Sequence, residues 1–223
     1  MIECDVKLVG ITKPTIPGVE SAEELVAYAA RVSNPSNQMN TETAPKLLKY
    51  LATHKHWSPF EMVSLVMEVN TTRDIARQIL RHRSFSFQEF SQRYAAATDL
   101  GFVTREARLQ DPKNRQASNE TYDRELIEIW EDKQLEHISR VKELYTWALT
   151  NGIAKEQARA VLPEGQTKSR LYMAGVLRSW IHFCFVRRGP ETQKENRYVA
   201  LGAQKILLEQ FPSLSGLLLD SES

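Results

Sequence analysis

Apolar positions along the 223-residue chain alternate in a few short runs and recur at three- and four-residue steps in longer ones. Residues 6–11 alternate, with Val6 and Leu8 on one side, and predict a first strand that runs into a loop at Pro14 and Pro17-Gly18. Ser21 and Glu24 stand at capping-box spacing, and Leu25, Ala29 and Val32 follow at i, i+4 and i+7, which predicts a helix over 22–32. A polar loop covers 33–41. A second helix begins past Thr43, accepts Pro45 in its first turn and carries Leu47, Leu48 and Leu51 on one face until His54. Residues 64–69 alternate again, with Leu65, Met67 and Val69 on the dry side. Thr71 or Thr72 then caps a helix holding Ile75, Ile79 and Leu80, whose last turn delivers Arg81-His82-Arg83.

The pattern weakens over 98–118, where Asp111-Pro112-Lys113-Asn114-Arg115 reads as exposed loop and Arg105 and Arg108 as solvated charges. Apolar steps of three and four return from Ile127 to Ala148 and predict one helix over 119–150, about 45 Å long, in which Trp130 and Trp147 pack. Residues 155–162 form a short helix stopped by Pro163, 171–173 a short strand, 176–186 a helix, and 191–211 the last helix, with Asp220 to Ser223 as a frayed tail. There is no repeat. The expected fold is α/β, of the α+β kind: one domain over 1–223 with a small mixed sheet and a helical part.

Composition narrows the function. A hydrophobic fraction of 42% with 26% charged residues is that of a globular chain. Lys+Arg 29 against Asp+Glu 28 leaves +1, too little field for extended nucleic acid or an anionic membrane, so any anion is held locally. No basic-then-apolar leader and no membrane-length apolar run is present, and a cytoplasmic location is expected. Two cysteines, Cys4 and Cys184, make no disulfide framework, and the apolar neighbours of Cys184 favour a buried small hydrophobe over a thiolate nucleophile.

The chemistry concentrates in residues 81–94, Arg-His-Arg-Ser-Phe-Ser-Phe-Gln-Glu-Phe-Ser-Gln-Arg-Tyr. Guanidinium forks interleaved with hydroxyls suit phosphate or another planar anion. The alternative is that Arg81, His82 and Arg83 simply close a helix at its negative end. His54, His56 and Glu61 offer a second cluster, but the remaining histidines lack ligand spacing, and no metal is expected.

Residues 81–94 resemble the signature of the flavin-dependent thymidylate synthases, Arg-His-Arg-x-x-Ser-x-x-x-x-Ser-x-Arg, with Arg81, His82, Arg83, Ser86, Ser91 and Arg93 filling every fixed position. His56, Ser58, Pro59, Phe60 and Glu61 resemble a second family element, and Ala158, Arg159, Leu162 and Pro163 a third. The resemblance implies methylation of dUMP to dTMP with methylenetetrahydrofolate as one-carbon donor and FAD, reduced by NADPH, as hydride source. It implies a homotetramer with shared sites. It places dUMP on Gln78, Ile79, Leu80, Arg81, Glu89, Phe90, Ser91, Gln92, Arg93, Arg159 and Arg187, and FAD on Ser58, Arg81, His82, Arg83, Glu89, Arg178 and His182. Arg187 corresponds to the catalytic arginine at the uracil ring, with Arg188 its neighbour and competitor. His56 either meets flavin or folate or caps the preceding helix. From the residues alone, Arg159 reads instead as an i,i+3 ion pair with Glu156.

Two rival functions use the same residues. One is a nucleotide- or RNA-binding module in which Phe85, Phe87 and Phe90 stack on bases. The other is a metal-dependent nucleotide hydrolase built on His54, His56 and Glu61.

Overall fold

The computed structural model describes residues 5–219. Cys4 and the Asp220–Ser223 tail lie outside them. The chain order is β1 (Asp5–Ile11), α1 (Ala22–Ala30), α2 (Ala44–Thr53), β2 (Ser64–Thr72), α3 (Arg73–Ile79), β3 (Ser86–Glu89), β4 (Arg108–Gln110) and β5 (Ser118–Glu120). It continues as α4 (Arg124–Thr150), α5 (Lys155–Ala158), β6 (Lys168–Val176), α6 (Leu177–Arg187), α7 (Lys194–Gln210) and α8 (Ser215–Leu219).

Four strands form one sheet in the order β1-β2-β6-β3, and β4-β5 make a separate hairpin. The α+β class holds, but every ladder is antiparallel where a mixed sheet was expected. The cause is an insertion. β2, α3 and β3 form a parallel crossover, and β6 enters between the two parallel strands, antiparallel to both. The short strand expected at 171–173 is therefore the nine-residue β6 at the sheet's centre, matched residue for residue to β2 from Ser64↔Val176 to Thr72↔Lys168.

Alternation on β2 decides the dry face. Leu65, Met67 and Val69 are fully buried, opposite Gly175, Met173 and Leu171 of β6. Against this face pack Trp180 and Phe183 of α6 and Val199, Ala203 and Leu207 of α7. The other face is polar: Arg170 Nε donates to Asn70 Oδ1 across the strands at 2.9 Å, as antiparallel sheets with one wet side permit. Phe85 reaches the core by lying against Gly175, where a Cβ would stand 2.4 Å from its ring.

The capping box of α1 forms as spaced, with the Glu24 N–H donating to Ser21 Oγ at 3.1 Å. Val32 lies past its end and is 69% exposed, because the buried stripe runs through Ala22, Val26 and Ala27. The long helix α4 starts at Arg124, later than expected, since 118–120 pair with 108–110. Its buried apolar residues, Ile138, Val141, Tyr145 and Ala148, all lie in the second half, while the first half buries Gln134. Trp130 and Trp147, expected to pack, are 44% and 58% exposed. Tyr145 accepts the Ala97 N–H at 3.3 Å and, with Ala148 and Ala158, forms a second small core under the segment that follows the arginine-rich stretch. Among the described residues no helix is long and apolar enough to cross a membrane.

Candidate active site

Thr72 is the last residue of β2 and Arg73 the first of α3, and this seven-residue helix ends one residue short of Leu80. Arg81, His82 and Arg83 therefore sit in the turn beyond the helix, not in its last turn, with the His82 N–H donating to the Ile79 carbonyl at 3.0 Å. Ser86 opens the edge strand β3. Arg81 and Arg83 are exposed, and among the described residues neither makes an ion pair. Two uncompensated guanidinium groups on one turn leave forked donors for an anion.

Facing this turn is the end of α6. Arg187 Nε donates to His82 Nε2 at 2.9 Å across 105 residues of sequence. An arginine can only donate, so His82 must be the neutral ring with its proton on Nδ1. Burial first, then the Arg187 guanidinium and His182, push its pKa down to about 4. The bond engages one edge of Arg187 and leaves its terminal nitrogens to donate elsewhere. Arg188 turns away: it donates to the Leu218 carbonyl and lies 4.9 Å over the Phe185 ring.

The second grouping lies around α5. Arg93 approaches the Glu156 carboxylate at 3.6 Å, and Arg159 Nε donates to the Glu156 backbone carbonyl at 3.4 Å. The expected Glu156–Arg159 ion pair is absent, because Arg93 takes the carboxylate. Lys155 Nζ donates to the Tyr94 carbonyl at 3.0 Å, which ties α5 to the strand-end segment carrying Ser91 and Arg93.

Other expected residues are placed unevenly. Glu89 Oε1 is already engaged by Ser169 Oγ at 2.8 Å and Arg73 at 3.4 Å. Ile79 is fully buried, so only its backbone can meet a ligand, while Leu80 and Phe90 are partly exposed. Gln92 is 4% exposed and its Nε2 has no partner. Gln78 lies in the last turn of α3, with its amide bound to Gln193 and Asn196 at the start of α7.

Arg178 and His182 line a cavity of about 390 Å³ with Trp57, Glu61, Ser84, Ser179, Ile181 and Phe185. Arg178 pairs with Glu61 at its mouth. Ser58 is exposed and opens the turn Ser58–Glu61, which Phe60 anchors in the core, next to Trp57. Sequence reading missed Trp57, Ser84 and Phe185, whose only local signal was adjacency to the motifs. His56 resolves in part: its backbone N–H donates to the Leu51 carbonyl and closes α2, while its ring stays exposed 6.1 Å from that of His54.

The rivals lose their geometry. Phe85 is 8% exposed and packs edge-on to Trp180 at 4.8 Å, and Phe87 packs against the core, so two of the three rings needed for base stacking are committed to packing and Phe90 alone stays partly exposed. His54 Nδ1 lies 2.8 Å from the Tyr50 carbonyl, and among the described residues no three His, Cys, Asp or Glu side chains group to hold a metal ion. Cys184 is fully buried, its thiol pushed up to about 12 by burial, and it donates to the Ala200 carbonyl. It is no thiolate nucleophile.

A split β-α-β crossover that carries unpaired arginines just before its last strand, opposite an arginine bonded to a neutral histidine, defines an α+β protein with forked donors of the kind that suit planar anions. Similar proteins give that class a family. A sequence-family model described as thymidylate synthase complementing protein matches residues 16–213. A probable flavin-dependent thymidylate synthase of Paramecium bursaria Chlorella virus 1 is 48% identical over 209 residues, covering 94% of this chain and 96% of that one. The flavin-dependent thymidylate synthase of Synechocystis sp. is 48% identical over 217 residues, covering 96% and 99%. The crystal structure of a UMP/dUMP methylase, PolB from Streptomyces cacaoi, bound with 5-Br UMP, matches with a TM-score of 0.82 at 25% identity over 97% of this chain and 94% of that one. The chain belongs to the flavin-dependent thymidylate synthase family.

Proposed function

We propose that this chain methylates dUMP to dTMP as a single-domain flavoenzyme of the cytoplasm, with FAD as cofactor, methylenetetrahydrofolate as one-carbon donor, NADPH as reductant, and a homotetramer as the working form. The observation that carries the reading is the pairing of uncompensated Arg81 and Arg83 with a His82-anchored Arg187.

The residues fit a flavin. The cavity beside α6 combines Trp57, Ile181 and Phe185 with the polar rim of Arg178 and His182, which suits a flat ring system bearing phosphates. Ser58, Arg81, His82, Arg83, Glu89, Arg178 and His182 would hold FAD, Glu89 through the oxygen that Ser169 and Arg73 leave over. Reduced FAD supplies the hydride.

Ser91, Arg93, Gln78 and Arg159 would hold the dUMP phosphate, with the backbone of Ile79 and Leu80 and with Arg81, Phe90 and Gln92 closing around the nucleotide. The buried, unpartnered Nε2 of Gln92 is a donor without an acceptor, as a ligand-binding group would be in the bare chain. Arg187 would donate through its terminal nitrogens to the uracil carbonyl and N3 region, stabilising negative charge as the ring is polarised. His82 keeps the fork aimed. Cys184, buried and protonated, takes no part.

Purified protein is expected to be yellow, to bleach when NADPH is added without oxygen, and to bleach at a different rate with dUMP present. Protein that binds no flavin after incubation with FAD would overturn the reading. Arg187→Ala is expected to lower turnover by roughly 10² to 10³ with FAD retained; a folded, FAD-loaded variant with normal turnover removes Arg187 from catalysis.

A further inference from the structure

Gln78 sits at one end of a chain of amides that begins on a buried carboxylate. Glu195, in the first turn of α7, is 4% exposed and is approached by Arg108, which donates to Oε1, and by Arg105 at 3.4 Å. Burial opposes its ionisation, but Arg108, its own backbone N–H and Arg105 outweigh this and hold its carboxyl below the usual range. Gln193 Nε2 donates to the other oxygen, Oε2, at 2.9 Å. Gln78 Nε2 donates to Gln193 Oε1 at 2.7 Å, and Asn196 Nδ2 donates to Gln78 Oε1 at 3.1 Å.

A primary amide taken alone can sit in either of two flipped orientations. A carboxylate removes that freedom because it only accepts. Gln193 must turn its nitrogen to Glu195, so its oxygen faces Gln78. Gln78 must then turn its nitrogen to Gln193 and its oxygen to Asn196. One N–H of the Gln78 amide is left over, on a side of the group that the buried charge has chosen.

We propose that Glu195, acting through Gln193, is a positioning device that fixes the amide of Gln78 as a hydrogen-bond donor to the nucleotide anion. The inference rests on the reading of Gln78 as a dUMP ligand. It also gives Arg105 and Arg108 a role in substrate binding at a distance, since they keep Glu195 ionised.

The test is steady-state kinetics with dUMP on the FAD-loaded enzyme, together with direct calorimetric titration of dUMP. Gln193→Met keeps the side-chain length and leaves the Glu195 ion pairs intact. It is expected to raise KM and Kd for dUMP about tenfold, the size of one lost hydrogen bond to a charged group, with kcat within about twofold and flavin content unchanged. Gln193→Glu adds a readout that a packing role would not move. Its carboxyl group accepts from Gln78 Nε2 whether protonated or ionised and so keeps that amide turned as a donor, and KM for dUMP should return to near the parent value where Gln193→Met has raised it. Parental KM in Gln193→Met, or KM raised alike in both variants, overturns the positioning role while leaving the proposed function standing. Failure of the parent protein to bind dUMP overturns both.

Discussion

His82 carries more of the site's pH behaviour than any other described residue. Its ring is neutral because it is desolvated beside a permanent cation and His182, and neutrality is what lets it accept from Arg187. The unfolded ring takes a proton near pH 6.5, whereas the native ring resists down to about 4. This group therefore contributes stability above pH 6.5 that is lost as pH falls through that window, and protonation at its end breaks the Arg187 contact. An NMR titration of the imidazoles should show His82 changing state near 4; a midpoint near 6.5 would mean the pair does not form. Lys55 is a second local exception. It has φ 57°, the left-handed position that closes α2, with its N–H on the Ala52 carbonyl and that of His56 on Leu51. Glycine reaches this conformation without the Cβ clash, so Lys55→Gly should raise stability by about 0.5 kcal/mol in denaturant melts, after its own entropic cost.

At the scale of elements, the arginine turn is aimed by a close contact between Phe85, the residue before β3, and strand β6. Phe85 lies on the backbone of β6 at Gly175, and its ring occupies the place a methyl group would need. Gly175→Ala should cost about 1–3 kcal/mol of stability by overpacking and, because Phe85 is two residues from Arg83, should loosen FAD as well. Thermal melts and flavin content read the two effects separately; an unchanged melt would show that the turn yields without cost. The alternation that predicted β2 and the capping box that predicted α1 were legible because each reports a local repeat. Arg105 and Arg108 were not. They stand in a segment without period, read as solvated, and are instead largely buried against Asp74 and Glu195, side chains that reach them from α3 and α7. The β4-β5 hairpin was missed for the same reason: three-residue strands carry too little pattern to predict.

At the scale of the whole molecule, α4 leaves Leu126, Ile129, Trp130, Leu135, Leu144 and Trp147 exposed along one helix. So much apolar surface on a single element fits contact between subunits. Light scattering is expected to give four times the chain mass, and full activity in a monomer would overturn the shared-site arrangement. What the sequence determined by itself was local: which runs alternate, which face of β2 is dry, where the cations of residues 81–93 cluster, and that Cys184 has apolar neighbours. The tertiary structure alone decided that β6 splits the crossover, that Arg187 and not Arg188 meets His82, and that Gln78 is gripped from α7. Periodicity tells which side of an element avoids water, but a hydrogen bond or ion pair depends on which distant side chain arrives there. Bonds spanning 105 and 115 residues leave no mark on local spacing.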